Sequence, residues 1–168
     1  MRRFLKIVPM AFVLCALAVV PITAVDAASS STKPAASAPD DPYKLGQDLV
    51  KDGKFKEAEE AFMAAAQKDP TNADALNMLA YSQRRQGELD EAFENYGKAL
   101  ALDPDHKGAH EYIGEAYLMV GNLAKAEEHL AALLKLCPGG CEESRDLAKA
   151  IQRYKEKNKQ SSLDQFVL

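Results

Sequence analysis

Residues 73–106 read ADALNMLAYSQRRQGELDEAFENYGKALALDPDH, and this stretch decides the fold. Small side chains at Ala80 and Ala92 stand where two helices would have to approach each other closely. Gly87 supplies a permissive residue between the two helical segments, where one helix ends and the chain turns back. Pro104 ends the second segment because proline cannot continue a helix. The stretch therefore predicts a hairpin of two helices.

The same pattern recurs with a period of 34 residues and no gap, in blocks 39–72, 73–106 and 107–140. A single helical hairpin leaves one apolar face bare, so repeated hairpins are expected to stack. A partial fourth block starts at Cys141 and predicts a capping helix over residues 141–154, so that the folded domain covers residues 42–154. When the three blocks are aligned, each set of equivalent positions forms a column. The recurring columns are Gly46, Ala80 and Gly114; Ala58, Ala92 and Ala126; Gly53, Gly87 and Gly121; and Pro70, Pro104 and Pro138.

These columns resemble the tetratricopeptide repeat (TPR) family, and the resemblance covers residues 39–140. It implies an all-α fold, a right-handed superhelical stack of three TPR helix-turn-helix hairpins with the C-terminal capping helix. It also implies that the first helix of each hairpin lines a concave groove that holds a partner protein or peptide. Gln83 stands where the family often has tyrosine, and we expect it to weaken the packing of the second repeat.

The N-terminus has the layout of a secretory signal peptide over residues 1–27. Arg2, Arg3 and Lys6 form a basic start, and the apolar run over residues 7–20 is shorter than the roughly 20 residues that a membrane-spanning helix needs. Small residues surround Ala27, after which we expect cleavage. The sequence thus predicts a periplasmic or secreted protein with no stable membrane insertion once the signal is removed.

Composition separates the rest of the chain into a folded domain and two flanking segments. Residues 28–41 are rich in Ser, Ala, Pro and Thr without an apolar period, which predicts a flexible linker. Residues 155–168 are expected to form a disordered tail, although the apolar Phe166-Val167-Leu168 end could instead dock in the groove or on a partner. Without residues 1–27 the net charge becomes −6, which disfavours nucleic acid as a partner.

We expect the groove to display the residues of each first helix that stacking does not use. They form a mixed surface with tyrosines, a basic pair, an acidic pair and an apolar patch, and aromatic, arginine and methionine side chains commonly anchor interfaces. The lysine, asparagine and arginine clamp by which some family members grip a C-terminal carboxylate is missing from the equivalent positions. The predicted groove residues are Tyr43, Gln47, Lys51, Asn77, Tyr81, Arg84, Arg85, Glu111, Glu115, Leu118 and Met119.

Cys137 and Cys141 flank Pro138-Gly139-Gly140 in a segment that resembles the end of the last repeat in some small exported bacterial TPR proteins. We interpret the two cysteines as a structural disulfide, since an exported protein meets oxidising conditions. A redox couple or a metal site is the alternative, but thioredoxin-like chemistry uses two intervening residues and zinc sites usually add histidines or further cysteines. His110 is expected to fill the core, and His106 and His129 to be exposed.

No phosphate loop, nucleophile elbow or carboxylate cluster is apparent in the sequence, so we predict no enzymatic activity, no cofactor and no metal. The favoured hypothesis is an exported scaffold or adaptor that binds a partner protein or peptide. One alternative is a membrane-tethered assembly factor or chaperone, like the TPR modules that accompany cytochrome maturation. Another is a thiol-disulfide oxidoreductase that uses Cys137 and Cys141. The sequence does not specify the partner or the oligomeric state.

Overall fold

The computed structural model describes residues 41–166, with side chains described to residue 160. The predicted signal peptide and all of the predicted linker except Asp41 lie outside this range. The described residues form only helices and the turns between them, which confirms the all-α helical repeat stack. The helices are α1 (Pro42–Lys51), α2 (Phe55–Lys68), α3 (Ala73–Gln86), α4 (Leu89–Leu102), α5 (Lys107–Met119), α6 (Leu123–Leu136) and α7 (Glu142–Phe166).

Local sequence sets where the helices begin and end. Asp41 caps α1 by accepting a hydrogen bond from the Lys44 amide, and Asn72 caps α3 in the same way. The turn glycines of the three hairpins adopt φ values of 74°, 88° and 78°, in the left-handed region that favours glycine. The 34-residue pattern therefore fixes the element boundaries through ordinary capping and turn chemistry.

The helices pair into three antiparallel hairpins, α1–α2, α3–α4 and α5–α6, and α7 packs on the third. On one side of the stack, α3 contacts α5 and α5 contacts α7. No comparable contact joins α2 to α4 or α4 to α6 in the described part of the chain. The first helices and α7 thus make up one layer, which we call the inner face, and α2, α4 and α6 make up the outer layer.

Small residues occupy the closest helix contacts. A Cβ atom on Gly46 would lie 2.6 Å from Cε1 of Phe62, and one on Gly114 would lie 2.7 Å from a terminal methyl of Leu147. Both neighbours are fully buried, so neither has free space to move into. The alanines that share this role are also fully buried: Ala58, Ala80, Ala92 and Ala126.

Gln83 does not loosen the second repeat as we expected. Its side chain is buried, and Nε2 donates to Oε1 of Glu59 at 3.0 Å while Oε1 accepts from Nδ2 of Asn95 at 2.8 Å. Both polar ends are therefore satisfied, and Gln83 links α2, α3 and α4. The expectation of weakened packing was wrong because it ignored polar partners on neighbouring helices.

The C-terminal helix is longer than predicted. Helix α7 starts at Glu142 but continues to Phe166, well beyond residue 154, so the predicted disordered tail is helical over residues 155–166. No glycine or proline follows Gly140, and the segment is rich in Lys, Glu, Gln and Arg, which favour helix. Lys155 also binds Glu127 of α6 at 2.6 Å, which anchors α7 past its predicted end. None of the helices in residues 41–166 is long and apolar enough to span a bilayer.

Candidate functional site

Three aromatic side chains form a row that starts on α2 of the outer layer and runs onto the inner face. The ring of Tyr81 on α3 lies 6.1 Å from that of Phe55 on α2 and 4.9 Å from that of Tyr112 on α5. All three side chains are partly exposed. We call Phe55, Tyr81 and Tyr112 the aromatic row. Sequence reasoning identified Tyr81 and missed the other two.

Arg84 lies under the aromatic row and is 8% exposed. Its guanidinium carbon is 5.3 Å from the ring centroid of Tyr81 and 5.7 Å from that of Tyr112. Nη2 pairs with Glu115 at 2.9 Å, and Nε donates to the Tyr96 hydroxyl at 3.3 Å. Tyr96 belongs to α4, and Tyr112 and Glu115 belong to α5, so Arg84 joins α3, α4 and α5 from inside the stack.

Arg85, the other member of the predicted basic pair, has a different environment. It is exposed, with its guanidinium carbon 4.1 Å from the ring centroid of Phe55. Nη1 donates to the Tyr81 hydroxyl at 2.7 Å. The expectation that both arginines face an open groove is therefore wrong for Arg84, because neighbouring positions on a helix point about 100° apart.

The remaining groove residues predicted on α1 and α3 divide by exposure. Gln47 and Lys51 are exposed, and Tyr43 is half-buried with its ring edge against Phe62 at 5.6 Å. Asn77 is 4% exposed, so it does not present its side chain freely as we expected. The N-terminal end of the inner face is thus open and polar.

The predicted apolar patch of Leu118 and Met119 does not exist as one surface. Leu118 packs against the cluster that includes Leu147 and Ile151 of α7, so the capping helix covers part of it. Met119 is 53% exposed at the end of α5. Of the predicted patch, Met119 is the residue that remains available to a ligand.

Acidic side chains of α5 and α7 surround an open pocket of about 290 Å³. Burial raises the pKa of Glu111 to about 7, and repulsion from Glu115, Asp146 and Glu143 adds to the effect of burial, while Arg84 opposes it. Because the pKa of this carboxyl group is higher in the folded protein than in the unfolded chain, Glu111 stabilises the fold at pH values below its ordinary pKa. This contribution is lost as the pH rises through 7. We call this site the acidic pocket; it is lined by Gly108, Glu111, Tyr112, Glu142, Glu143 and Asp146.

Sequence reasoning found Glu111 but missed the acidic residues of α7. A signal was available, because Glu142 occupies the same column of the fourth block as Gly108 does in the third. Because the partial fourth block was interpreted only as a capping helix, its exposed residues were not included in the predicted groove. The inner face therefore extends across α7.

The histidines are arranged differently from what we expected. His106 is not a free turn residue, because its Nδ1 accepts from the Ala109 amide and caps α5. His110 is only partly buried, and Nε2 lies 2.9 Å from the Pro104 carbonyl, to which it donates. Nδ1 of His110 lies 2.9 Å from Nδ1 of His129, whose ring stacks on Tyr117. His129, expected on the surface, is thus half-buried within a histidine pair.

His129 makes the stability of the fold depend on pH. Burial and, to a smaller extent, the neighbouring His110 together lower the pKa of His129 to about 4. A histidine whose pKa is lowered by folding stabilises the fold at pH values above its ordinary pKa of about 6.5. This contribution is lost as the pH falls toward 4. Between pH 7 and pH 4.5, we expect the free energy of unfolding of the wild type to fall by about 1 kcal/mol more than that of His129→Gln. The difference is this small because the ring is partly exposed and solvent screens its charge. Urea unfolding at both pH values checks this, and equal losses in the two proteins would contradict it.

Cys137 and Cys141 lie at the junction between α6 and α7, with Cα atoms 5.9 Å apart, a separation that a disulfide can span. Cys141 directly precedes Glu142 of the acidic pocket, whereas the aromatic row lies on α2, α3 and α5. Within the described residues, no three His, Cys, Asp or Glu side chains are placed to hold a metal ion together.

Two family models, both described as tetratricopeptide repeat, match residues 43–99 and 83–139. The chain is 26% identical over 111 residues to the inactive TPR repeat-containing thioredoxin TTL3 of Arabidopsis thaliana. It is 35% identical over 98 residues to the protein O-mannosyl-transferase TMTC1 of Mus musculus. These alignments cover 66% and 58% of this chain but only 15% and 10% of the two relatives. The chain therefore spans a small part of the curated relatives it matches.

Solved structures with the same architecture include several with bound peptides. The first TPR of Spaghetti (RPAP3) bound to the HSP90 peptide SRMEEVD is 24% identical with a TM-score of 0.60, covering 67% of this chain and 89% of that one. The type III secretion chaperone SycD of Yersinia enterocolitica in complex with a peptide of the translocator YopD is 23% identical with a TM-score of 0.61, covering 70% and 92%. At these identities the likeness shows the fold.

Proposed function

The chain belongs to the tetratricopeptide repeat family, and from this premise we propose that it is a non-enzymatic scaffold that holds a peptide segment of a partner protein on its inner face. TPR domains of similar fold are bound to peptides of HSP90 and of YopD. In this chain, the observation that carries the proposal is the aromatic row. Its rings are partly exposed and are held in place by Arg84 from below and by Arg85 at the edge.

Such an arrangement suits a peptide more than a small molecule. Aromatic side chains give a rigid contact surface that loses little conformational entropy on binding, and they contribute strongly to protein interfaces. Arg84 and its partners hold Tyr81 and Tyr112 in place before any ligand arrives, so less free energy is lost in ordering the site. The open shape of the inner face suits an extended or helical segment.

Site-specific photocrosslinking in cells tests this proposal with a matched pair of glutamines. Gln47 lies on α1 of the inner face and Gln67 on α2 of the outer layer, and both are exposed. A photoreactive residue at position 47 is expected to capture a discrete partner that mass spectrometry can identify. The same residue at position 67 is expected to capture it much more weakly. Equal capture from both positions, or none from position 47, would refute binding at the inner face.

We further propose that the scaffold is exported and carries a structural disulfide between Cys137 and Cys141. The basic, apolar and small-residue order of residues 1–27 supports export, and the adjacency of the two cysteines in the structure supports the bridge. Mass determination of the protein recovered from a bacterial periplasm tests both. The expected mass lacks residues 1–27 and two hydrogen atoms, and a full-length, fully reduced chain would contradict the proposal.

A further inference from the structure

A pair of histidine side chains joins the two helices of the third hairpin. Nδ1 of His110 on α5 lies 2.9 Å from Nδ1 of His129 on α6, although the two residues are 19 positions apart in the sequence. The pair has no part in the proposed binding of a peptide to the aromatic row. Imidazole nitrogen is the commonest metal ligand that protein side chains provide, so the pair brings two such ligands together.

Hydrogen bonding fixes which nitrogen of His110 carries the proton. Nε2 of His110 lies 2.9 Å from the carbonyl oxygen of Pro104. Because a carbonyl oxygen only accepts, Nε2 donates to it, and Nδ1 of the neutral ring keeps its lone pair. That lone pair faces Nδ1 of His129. Histidines that bind metal ions usually donate their other ring N–H to a carbonyl or a carboxylate in this way, so His110 is already oriented as a ligand.

The distance between the two Nδ1 atoms suits one kind of coordination. Two nitrogen ligands about 2.0–2.1 Å from an ion, at an angle of about 90°, lie about 2.9 Å apart. Tetrahedral ligands with the same bond length lie about 3.3 Å apart. The observed 2.9 Å therefore matches neighbouring positions around a square-planar or tetragonal ion. Cu²⁺ and Ni²⁺ favour that geometry, and Cu²⁺ binds such ligands more tightly than Ni²⁺ or Zn²⁺.

The surroundings hold the ring of His129 in place and do not add an uncompensated positive charge. This ring stacks on that of Tyr117, with centroids 5.6 Å apart and an interplanar angle of 19°. Tyr117 in turn packs against Phe93 of α4 at 4.7 Å. Lys125, about one turn before His129, pairs with Glu128 at 2.6 Å, so its charge is balanced. Both histidines are partly exposed, which gives an ion and water access to them.

We propose that His110 and His129 form a binding site for a divalent transition-metal ion, with Cu²⁺ preferred to Ni²⁺ and Zn²⁺ and both Nδ1 atoms as ligands. Water fills the remaining positions, because no third His, Cys, Asp or Glu of the described residues is placed to join them. Without the ion, His129 donates from Nδ1 to Nδ1 of His110. When the ion binds, that proton leaves to solvent and Nε2 of His129 takes one up, so that both rings stay neutral. The bound ion links α5 to α6 in the third hairpin.

Titration of Cu²⁺ into the purified, metal-free protein tests the inference, with electron paramagnetic resonance to count the nitrogen ligands. One ion per chain is expected to bind through two imidazole nitrogens, and more tightly than Ni²⁺ or Zn²⁺. His129→Gln and His110→Gln are each expected to weaken the binding of Cu²⁺ at least about tenfold, since loss of even an outer hydrogen-bond partner of a ligand has an effect of that size.

His106→Asn is the matched control, because it removes the remaining histidine of the chain. Asparagine can cap α5 as His106 does, so the helix is expected to keep its N-terminus. The affinity for Cu²⁺ and the spectrum of the bound ion are expected to stay as in the wild type. Circular dichroism checks that every variant keeps the helix content of the wild type.

Unchanged affinity in His129→Gln and His110→Gln, or an equal loss in His106→Asn, overturns the inference. A spectrum with a single nitrogen ligand, or binding only at millimolar Cu²⁺, identifies an adventitious ion only and overturns it as well. The urea midpoint gives a second measurement that needs no histidine variant. One equivalent of Cu²⁺ is expected to raise the midpoint of the wild type, and an unchanged midpoint contradicts the site. None of these outcomes depends on whether a peptide binds the inner face.

Discussion

Arg84→Ala is expected to lower the free energy of unfolding by about 2–3 kcal/mol. The substitution removes a side chain that is 8% exposed and leaves Glu115, whose side chain is 26% exposed, without its partner at 2.9 Å. It also removes a donor to the buried hydroxyl of Tyr96 and the support beneath Tyr81 and Tyr112. Leaving a partly buried charge unpaired destabilises a fold much more than losing an exposed ion pair. Urea unfolding followed by circular dichroism measures the effect.

Arg85→Ala provides the matched control, because the same side chain is removed one residue further along the same helix. Arg85 is exposed, so its loss is expected to lower stability by less than about 1 kcal/mol. The double variant Arg84→Ala/Glu115→Ala is expected to lower the free energy of unfolding by about 1 kcal/mol less than the sum of the two single variants. The reason is that the double variant leaves neither charge unpaired. Similar costs for Arg84→Ala and Arg85→Ala would show that the inner arginine is not structurally important.

Gly114→Ala is expected to lower the free energy of unfolding by about 2 kcal/mol, although alanine favours helix more than glycine does. The new Cβ atom would lie 2.7 Å from a methyl group of Leu147, which is fully buried between α5, α6 and α7. Leu147 cannot move aside without disturbing Ala126, Leu133 and Ile151 of the same cluster. The loss is expected to come from weaker docking of α7. The midpoint of thermal or urea unfolding measures it.

Gly97→Ala is the control for that change, because Gly97 also lies inside a helix, α4, and has no atom within 4 Å of a Cβ built on it. The same substitution is expected there to raise stability by about 0.5–1 kcal/mol through helix propensity alone. Opposite signs at the two glycines would confirm that Gly114 is required for close approach. A gain in stability at both positions would refute the role assigned to Gly114.

Several features of the site could be predicted from the sequence, and the errors have identifiable causes. The inner position of Tyr81 and Arg85 followed from counting helical columns. Arg84 was wrongly predicted to face the open groove, because the position of a residue in the repeat gives only the approximate direction of its side chain. Its burial depends on Tyr96 and Glu115, which come from other helices. The long α7 was missed because its lysine-rich end resembles a frayed terminus, although the local composition favours helix.

The sequence by itself determined the all-α fold, the three hairpins and the places where they turn. Those features depend on local chemistry. Side chains at the helix N-termini accept hydrogen bonds from backbone amides of the first turn, glycines in the turns adopt positive φ, and small residues recur every 34 positions. Only the tertiary structure decided that Arg84 and Asn77 are buried, that α7 covers Leu118, and that carboxylates of α5 and α7 enclose one pocket. The physical reason is that burial and charge repulsion depend on neighbours from other repeats, whose distances no local pattern specifies.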